Sequence, residues 1–194
     1  LRIVGGPPAV TGWLRARKIA AIRVDRSEAE LAFDSFGVTH RPTRSKWMVD
    51  TMRAAIRRVP PAQQERAARR FERDARDTST PDEMTRLLDG LVRHRWISVE
   101  HSALVLRDMR VTTTTPGRLR GALPAGTESA HKSGTTATSD SGFTAGVNDV
   151  GIITLAGGQQ HLAVAIFVRA RAMKIENAEA VIARIGRAAY DWAP

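Results

Sequence analysis

Apolar residues recur every three or four positions through the first 113 residues, and this spacing is the period of an amphipathic helix. The spacing predicts helices at 8–18, 45–56, 63–74, 81–92 and 99–109. Thr80 followed by Pro81 is typical of a capped helix start, which supports the fourth of these helices. In the fifth helix we expect Ala103, Leu104 and Leu106 to face inward.

Beyond residue 113 the chain changes to short, β-branched apolar runs, which are typical of strands. The runs predict three strands, at about 127–133, 147–155 and 161–168. Gly157 and Gly158 lie between the last two runs and predict a hairpin. An apolar stripe predicts a closing helix over about 176–192. Helices followed by an antiparallel sheet indicate the α+β class, with a helical part at 1–113 and a sheet part at 114–194.

The composition is that of a globular protein with a basic surface. The chain has 194 residues, of which 42% are hydrophobic, so it can bury a sizeable core. Its net charge of +10 is compatible with nucleic-acid binding, with steering of small anions, or with solubility alone. We expect no nucleic-acid partner, because the arginines are spread over many segments without interleaved aromatic residues. No apolar run is long enough to span a membrane, and no signal peptide is visible.

Metal chemistry is not expected from this sequence. The chain has no cysteine, which excludes disulfides and thiolate metal sites. Its histidines show no ligand spacing, and we interpret all five as structural or exposed: His40, His94, His101, His131 and His161. We therefore expect neither a metal nor another cofactor.

The segment Lys132-Ser133-Gly134-Thr135 carries the clearest candidate chemistry. The lysine supplies a point charge, and the two hydroxyls can donate hydrogen bonds to a carboxylate. Glycine removes the side chain that would keep a ligand away from the backbone. Such a run suits a strand edge that faces an anionic substrate. The alternative is a basic residue at a strand end before a turn.

Four motifs, taken in order, resemble those of the class A serine β-lactamases. Residues 26–31 match the Arg-x-Glu-x-Glu-Leu start of the family's omega loop, and residues 76–81 match its Arg-Asp-Thr-x-Thr-Pro exit. Residues 121–126 match the approach to the family's Lys-Thr/Ser-Gly strand, and residues 148–153 also fit. The charged segment 22–31 follows neither the helical period nor the strand period of apolar residues, and we expect a loop there. The resemblance implies a serine β-lactamase/transpeptidase-like fold, with a helical domain beside an antiparallel sheet flanked by helices.

The resemblance also implies roles for particular residues. Glu28 would be the general base that activates water for deacylation. Lys132 would place positive charge beside the substrate carboxylate, and Ser133 and Thr135 would hydrogen-bond that carboxylate. The backbone N–H of Thr135 would be one of two oxyanion donors, and Gly134 would admit the substrate to the strand.

Two arginines and one aspartate complete the implied site. Arg118 matches a position where some members of the family carry an arginine that supports carboxylate binding. The alternative for Arg118 is a surface arginine in a Gly-Arg-Leu-Arg turn. Arg26 and Asp77 would pair and close the neck of the omega loop, which is a structural role.

The family's nucleophile is expected to come from outside this sequence. In the family, a Ser-x-x-Lys motif and a Ser-Asp-Asn motif precede the position equivalent to Leu1. We therefore expect the attacking serine on an N-terminal segment of the same protein, and we expect residues 1–194 alone to be inactive.

The omega loop departs from the family pattern in two ways. Glu28 and Asp77 are 49 positions apart, much farther than is usual, because a helix-rich segment at 34–74 is inserted. Ala32 stands where the family usually has an asparagine that helps to hold the deacylating water. This substitution predicts slow deacylation.

Three functional hypotheses follow. The first is a serine β-lactamase, which the resemblance would place in the periplasm or outside the cell. The second is a related penicillin-recognising protein that acylates but turns over poorly, which Ala32 favours and Glu28 opposes. The third is a non-catalytic basic binding module, which the net charge favours and the ordered motifs oppose.

Overall fold

A computed structural model describes residues 2–43, 48–139 and 142–193. The helices in these ranges are α1 (Gly6–Ala16), α2 (Glu28–Phe36), α3 (Val49–Arg57), α4 (Pro61–Phe71), α5 (Pro81–Val92), α6 (Val99–Arg110) and α7 (Ile175–Trp192). The strands are β1 (Ser129–Thr135), β2 (Phe143–Thr154) and β3 (His161–Arg171). This order of helices and an antiparallel sheet confirms the predicted α+β class.

Contacts between Cα atoms divide the chain into two compact units. The loop unit comprises residues 1–78 and 137–145, and the sheet unit comprises residues 79–136 and 146–194. Helices α5 and α6 therefore belong with the sheet by their contacts, whereas the sequence-based boundary at residue 113 assigns them to the helical part. The boundary at residue 113 stays a prediction.

In the sheet unit, β2 is the central strand, with β1 on one side and β3 on the other. β1 and β2 are antiparallel, in a register that pairs Lys132 with Val150. Successive side chains of a strand point to opposite faces, so Ile152 and Ile153 enter different cores. Ile153 packs with residues of α7, and Ile152 packs with residues of α5 and α6. Helices thus cover both faces of the sheet.

The strands and the closing helix lie close to their predicted positions, although their ends differ. β1 spans 129–135 instead of 127–133, because the N–H of Thr127 closes a turn onto a carbonyl three residues earlier. β2 begins earlier than predicted and β3 ends later. Gly157 and Gly158 lie in the hairpin connection with φ of 90° and 74°, a conformation that glycine adopts without steric cost.

Helix α5 begins at Pro81 with Thr80 as its N-cap, as predicted. The inward face predicted for α6 is wrong in part. Leu106 is buried, but Ala103 is exposed and Leu104 is 44% exposed. The buried side of α6 instead carries Ser102 and Leu106, which are four positions apart and therefore share a helix face.

The apolar stripe of α7 is also narrower than the sequence pattern indicates. Ala178, Ile182 and Gly186 repeat every four residues and are buried against the sheet. Ile185 is 46% exposed and Trp192 is 85% exposed. Apolar residues occur on both sides of this helix. Contact with the sheet decides which of the two sides is buried.

In the loop unit, the expectation of a loop over 22–31 is wrong at its end, where α2 begins at Glu28. The Ser27 side chain accepts the Glu30 N–H, and the Glu30 carboxylate accepts the Ser27 N–H, which is a complete capping box. Gly37 closes the helix with φ of 73°. Phe33 and Val59 then form the centre of a small apolar core between α2 and the following helices.

Helices α3 and α4 match the two helices expected within 45–74. The predicted first turn, at residues 45–47, lies outside the described residues. Pro61 is the first residue of α4, where a backbone N–H would have no partner within the helix, so the proline has no cost there. Pro60 and Pro61 therefore both separate α3 from α4 and begin α4.

Candidate active site

The candidate substrate strand is β1, and its exposed end carries the predicted residues. Lys132 is exposed, and its Nζ donates to the Ser133 carbonyl at 2.7 Å. The Ser133 hydroxyl lies 3.5 Å from the Thr114 hydroxyl. A Cβ at Gly134 would meet no atom within 4 Å. Packing within the chain therefore does not require glycine at this position, whereas access of a ligand to the backbone would favour it.

Arg118 is the most enclosed residue of this site. Its side chain is 1% exposed, so the interpretation of Arg118 as a surface arginine is wrong. Nε donates to Glu179 at 3.1 Å, and Nη1 donates to the carbonyls of Gly134 and Asn148 at 3.0 and 2.9 Å. Nη2 donates to the Thr135 hydroxyl oxygen at 2.5 Å. Because that oxygen accepts from the guanidinium, its own O–H is free to donate outward to an anion.

A buried pair of side chains joins β1 to β2, and the sequence pattern did not predict it. His131 and Asp149 are both fully buried, and His131 Nδ1 is 2.9 Å from the nearer Asp149 carboxylate oxygen. The same carboxylate accepts the N–H of Leu119, one residue after Arg118. The pair therefore connects β1 and β2 to the segment that carries Arg118. Polar residues at neighbouring register positions of two buried strands are the signal that could have revealed it.

One Ser-x-x-Lys spacing does occur in the chain, at Ser129 to Lys132, so the expectation that residues 1–194 lack this spacing is wrong. Residues three apart on a strand point to opposite faces, unlike residues three apart on a helix. Ser129 is 5% exposed and its hydroxyl accepts from Arg120 at 3.0 Å. This serine is therefore part of the packing behind β1 and is not a candidate nucleophile.

The candidate general base lies in the loop unit. Glu28 is the first residue of α2 and is exposed. The positive end of the helix dipole favours a carboxylate in this first turn. The capping box fixes the backbone immediately around it, since Ser27 precedes Glu28 and Glu30 follows in the same turn.

Arg26 is the centre of a network of ion pairs at the neck of the loop that carries Glu28. It is 7% exposed, and its Nε donates to Asp77 at 2.6 Å. Its Nη1 donates to Asp34 at 2.7 Å and to Asp74 at 3.1 Å. Asp77 adopts φ of 53° and accepts the N–H groups of Asp25 and Arg26 with one carboxylate oxygen. One buried guanidinium therefore joins the two ends of the 34–74 segment to the neck.

Neighbouring arginines change the acidity of this network. A hydrogen bond from Arg76 lowers the pKa of Asp74, and a hydrogen bond from Arg23 lowers the pKa of Asp25. A lowered carboxyl pKa contributes stability above the usual carboxyl pKa of about 4. This contribution is lost as the pH falls through the lowered pKa.

The described ranges contain neither a candidate metal centre nor a candidate membrane span. In residues 2–43, 48–139 and 142–193, no group of three or more His, Cys, Asp or Glu side chains could hold a metal ion. No helix in the same ranges is both long and apolar enough to cross a bilayer.

The antiparallel sheet with helices on both faces and its Lys-Ser-Gly-Thr strand define a protein of the serine β-lactamase class. The family model of the "Beta-lactamase enzyme family" matches residues 1–193. The chain therefore belongs to the beta-lactamase enzyme family, and the resemblance identified from the motifs is confirmed.

Individual relatives agree with this assignment. The chain is 45% identical over 96 residues to the extended-spectrum beta-lactamase PER-1 of Pseudomonas aeruginosa, an alignment that covers 50% of this chain and 30% of PER-1. Among solved structures, the TLA-3 extended-spectrum beta-lactamase matches with a TM-score of 0.73 and 29% identity over 98% of this chain and 56% of TLA-3.

A beta-lactamase from Chitinophaga pinensis matches with the same TM-score of 0.73 and 30% identity. That match covers the whole of this chain but 57% of the Chitinophaga chain. The present chain thus spans little more than half the length of the solved relatives.

Proposed function

We propose that the complete protein hydrolyses β-lactams through a serine acyl-enzyme, with the nucleophile supplied by a segment outside residues 1–194. Family membership supports the reaction class. The observation that carries the proposal is the buried guanidinium group of Arg118, which we call the Arg118 fork. It donates a hydrogen bond to the Thr135 hydroxyl oxygen and so orients this hydroxyl at the exposed end of β1. A carboxylate on the substrate would then meet the Ser133 and Thr135 hydroxyls and the charge of Lys132.

In this mechanism Glu28 accepts a proton from water and so generates the nucleophile for deacylation. The N–H of Thr135 donates to the oxyanion, and Gly134 leaves the backbone open to the substrate. Arg26 and Asp77 act as positioning residues for the loop that carries Glu28. By the same family membership, the site of action would be the periplasm or the exterior of the cell.

The second candidate function is acylation with poor turnover. Ala32 lies four residues after Glu28 in α2, so both residues share one face of the helix. A methyl group at this position cannot hydrogen-bond a water held by Glu28. Pre-steady-state hydrolysis of a chromogenic β-lactam separates the two candidates, because slow deacylation gives a burst and efficient turnover gives a steady rate. No hydrolysis and no covalent adduct would contradict both.

Replacing Lys132 tests the substrate strand. In the complete protein, Lys132→Ala should lower kcat/KM for carboxylate-bearing lactams by about 10- to 100-fold, because one exposed charge beside the substrate is lost. The thermal midpoint should stay nearly unchanged, since Lys132 is exposed. Lys174→Ala removes another exposed lysine and should alter neither quantity. A collapse in stability for Lys132→Ala would make this lysine structural.

Replacing Arg118 tests the buried fork. Arg118→Lys keeps the charge but cannot serve all four acceptors of the guanidinium. We expect unfolding to become easier by about 2 kcal/mol, the scale of unsatisfied buried polar groups, together with a higher KM. Arg107→Lys, at a position with 67% side-chain exposure, provides the control. Unfolding and KM unchanged in Arg118→Lys would show that the fork is dispensable.

A further inference from the structure

Most of the net charge of the chain lies in one short stretch. Residues 41–76 contain eleven lysines and arginines and four acidic residues, which gives +7 of the total +10. The remaining residues contain nineteen basic and sixteen acidic residues, which gives only +3. The basic character of this protein is therefore a local property of the segment around α3 and α4.

Four arginines near the end of α4 form what we define as the α4 stripe, namely Arg66, Arg69, Arg70 and Arg73. The first three are in α4 at spacings of three and four, which place them on one side of the helix, and Arg73 follows two residues after the helix ends. All four are exposed. Two acidic residues, Glu65 and Glu72, are interspersed with these arginines, and Glu65 lies four positions before Arg69 on the same side of the helix. Residues 65–73 therefore carry four basic and two acidic side chains.

The α4 stripe is largely unpaired within the described part of the chain. Arg69 contacts Glu65 at 3.2 Å through Nε while its side chain stays 72% exposed. Arg66, Arg70 and Arg73 make no ion pair with any described carboxylate. The arginines of the loop neck behave differently, since Arg26 and Arg76 each contact two or more aspartates. Aspartates therefore neutralise the arginines of the neck, whereas most arginines of the α4 stripe make no ion pair with a carboxylate among the described residues.

The stripe is presented by a helix that is held in place on another side. Ala67 is 1% exposed, and Gln63 Nε2 donates to the Gly37 carbonyl at 2.7 Å. A Cβ on Gly37 would come within 2.9 Å of Ala67, so α4 packs closely against the end of α2. The stripe therefore has a fixed orientation relative to the core of the 34–74 segment.

Exposed apolar side chains accompany the arginines at the start of α3. Met48 is 70% exposed and Val49 is 63% exposed. Val49, Arg53 and Arg57 follow at intervals of four residues, so they lie along one side of α3, and both arginines are exposed. A surface that only needed solubility would not require exposed methionine and valine beside the charges.

We propose that the α4 stripe and the exposed side of α3 bind the surface of an anionic phospholipid membrane. Guanidinium groups match phosphate geometrically, and each basic residue near an anionic bilayer contributes attraction that salt screens. The apolar side chains of Met48 and Val49 can enter the headgroup region of a bilayer. Binding of a nucleic acid would give no reason for these two side chains to be exposed. The proposal concerns the basic surface alone and does not depend on the proposed hydrolysis.

The test is vesicle co-sedimentation with the complete protein. We expect binding to vesicles of phosphatidylcholine mixed with phosphatidylglycerol, and little binding to phosphatidylcholine alone. Binding should vanish in about 1 M salt, where the Debye length is about 3 Å. Replacing Arg66, Arg69, Arg70 and Arg73 together with glutamine should weaken binding by on the order of 100-fold.

A control variant of equal charge separates this surface from net charge. It replaces four exposed arginines of the sheet unit with glutamine, namely Arg93, Arg95, Arg107 and Arg187. These arginines pair with aspartates whose side chains are 39–66% exposed, and surface pairs of this kind contribute little stability. The control should keep most of the vesicle binding. Met48→Ser with Val49→Ser should weaken binding several-fold and leave the salt dependence in place.

Three outcomes would overturn the proposal. Equal loss of binding in the two glutamine variants would assign the effect to net charge. Absence of binding to anionic vesicles in the unaltered protein, with its fold verified by circular dichroism, would make the stripe a solvated face. Tighter binding to duplex DNA than to vesicles, abolished by the stripe variant alone, would identify a nucleic acid as the partner.

Discussion

Glu28→Gln in the complete protein should let the acyl-enzyme accumulate while steady-state hydrolysis falls by on the order of 100-fold or more. Glutamine keeps the size of the side chain and the start of α2, but it cannot accept a proton from water. Acylation should continue if it depends on other groups, so a covalent adduct should be visible by intact mass. The expected signature is therefore a stoichiometric burst followed by slow turnover.

A matched control exists for this substitution. Glu100 lies in the first turn of α6, as Glu28 lies in the first turn of α2, and both carboxylates are exposed. Glu100→Gln removes a comparable helix-dipole interaction, which costs about 0.3–1 kcal/mol, without touching the proposed site. Unchanged steady-state hydrolysis in Glu28→Gln would exclude Glu28 from the mechanism, whereas equal effects in both variants would indicate a general loss of stability.

The sequence predicted the strand that carries Lys132 because the signal of that strand is local. Lys132, Ser133, Gly134 and Thr135 are adjacent, and their alternation on β1 follows directly from the period of a strand. The surroundings of Arg118 are not local in this way. Its partners Gly134, Asn148 and Glu179 lie 16, 30 and 61 positions away, so no short window of sequence distinguishes the buried fork from a surface turn.

The helix at Glu28 was missed for a different reason. Its signal was present, since Ser27 and Glu30 have the spacing of a capping box and Gly37 can end a helix. The density of charges over 22–31 hid this signal, because the two large apolar side chains of α2 in the local core, Phe33 and Phe36, come after that segment, and only the small Ala29 lies within it. In α6 and α7 the opposite happened. The apolar period predicted both helices correctly, but it did not predict which side is buried, because that depends on the element against which each helix packs.

The remaining large effect concerns residues 1–194 expressed alone. We expect this product to associate and to show no β-lactam hydrolysis, whereas the complete gene product should be active. The one Ser-x-x-Lys spacing in residues 1–194 begins at the buried Ser129, which is not a candidate nucleophile. In the sheet, β3 pairs with β2 on one side, and its other edge has no partner strand among the described residues, which favours association.

Exposed apolar side chains on the sheet unit support the same expectation. Leu104 and Val105 of α6 are 44% and 39% exposed, and Trp192 of α7 is 85% exposed. Each Å² of apolar surface left in water forgoes about 25 cal/mol. Domains have net stabilities of only about 5–15 kcal/mol, so several uncovered side chains are a substantial fraction of the total.

Analytical ultracentrifugation and thermal unfolding of residues 1–194 provide the measurement. Replacing Leu104, Val105 and Trp192 with glutamine should reduce association if these faces cause it, but should not create hydrolysis. Exposed Arg107→Gln and Arg187→Gln, on the same two helices, should leave association unchanged. A cooperative, monomeric and hydrolytically active product from residues 1–194 would contradict the prediction. The serine-nucleophile mechanism would then be wrong for this protein, because the reaction would proceed without the segment assigned to it.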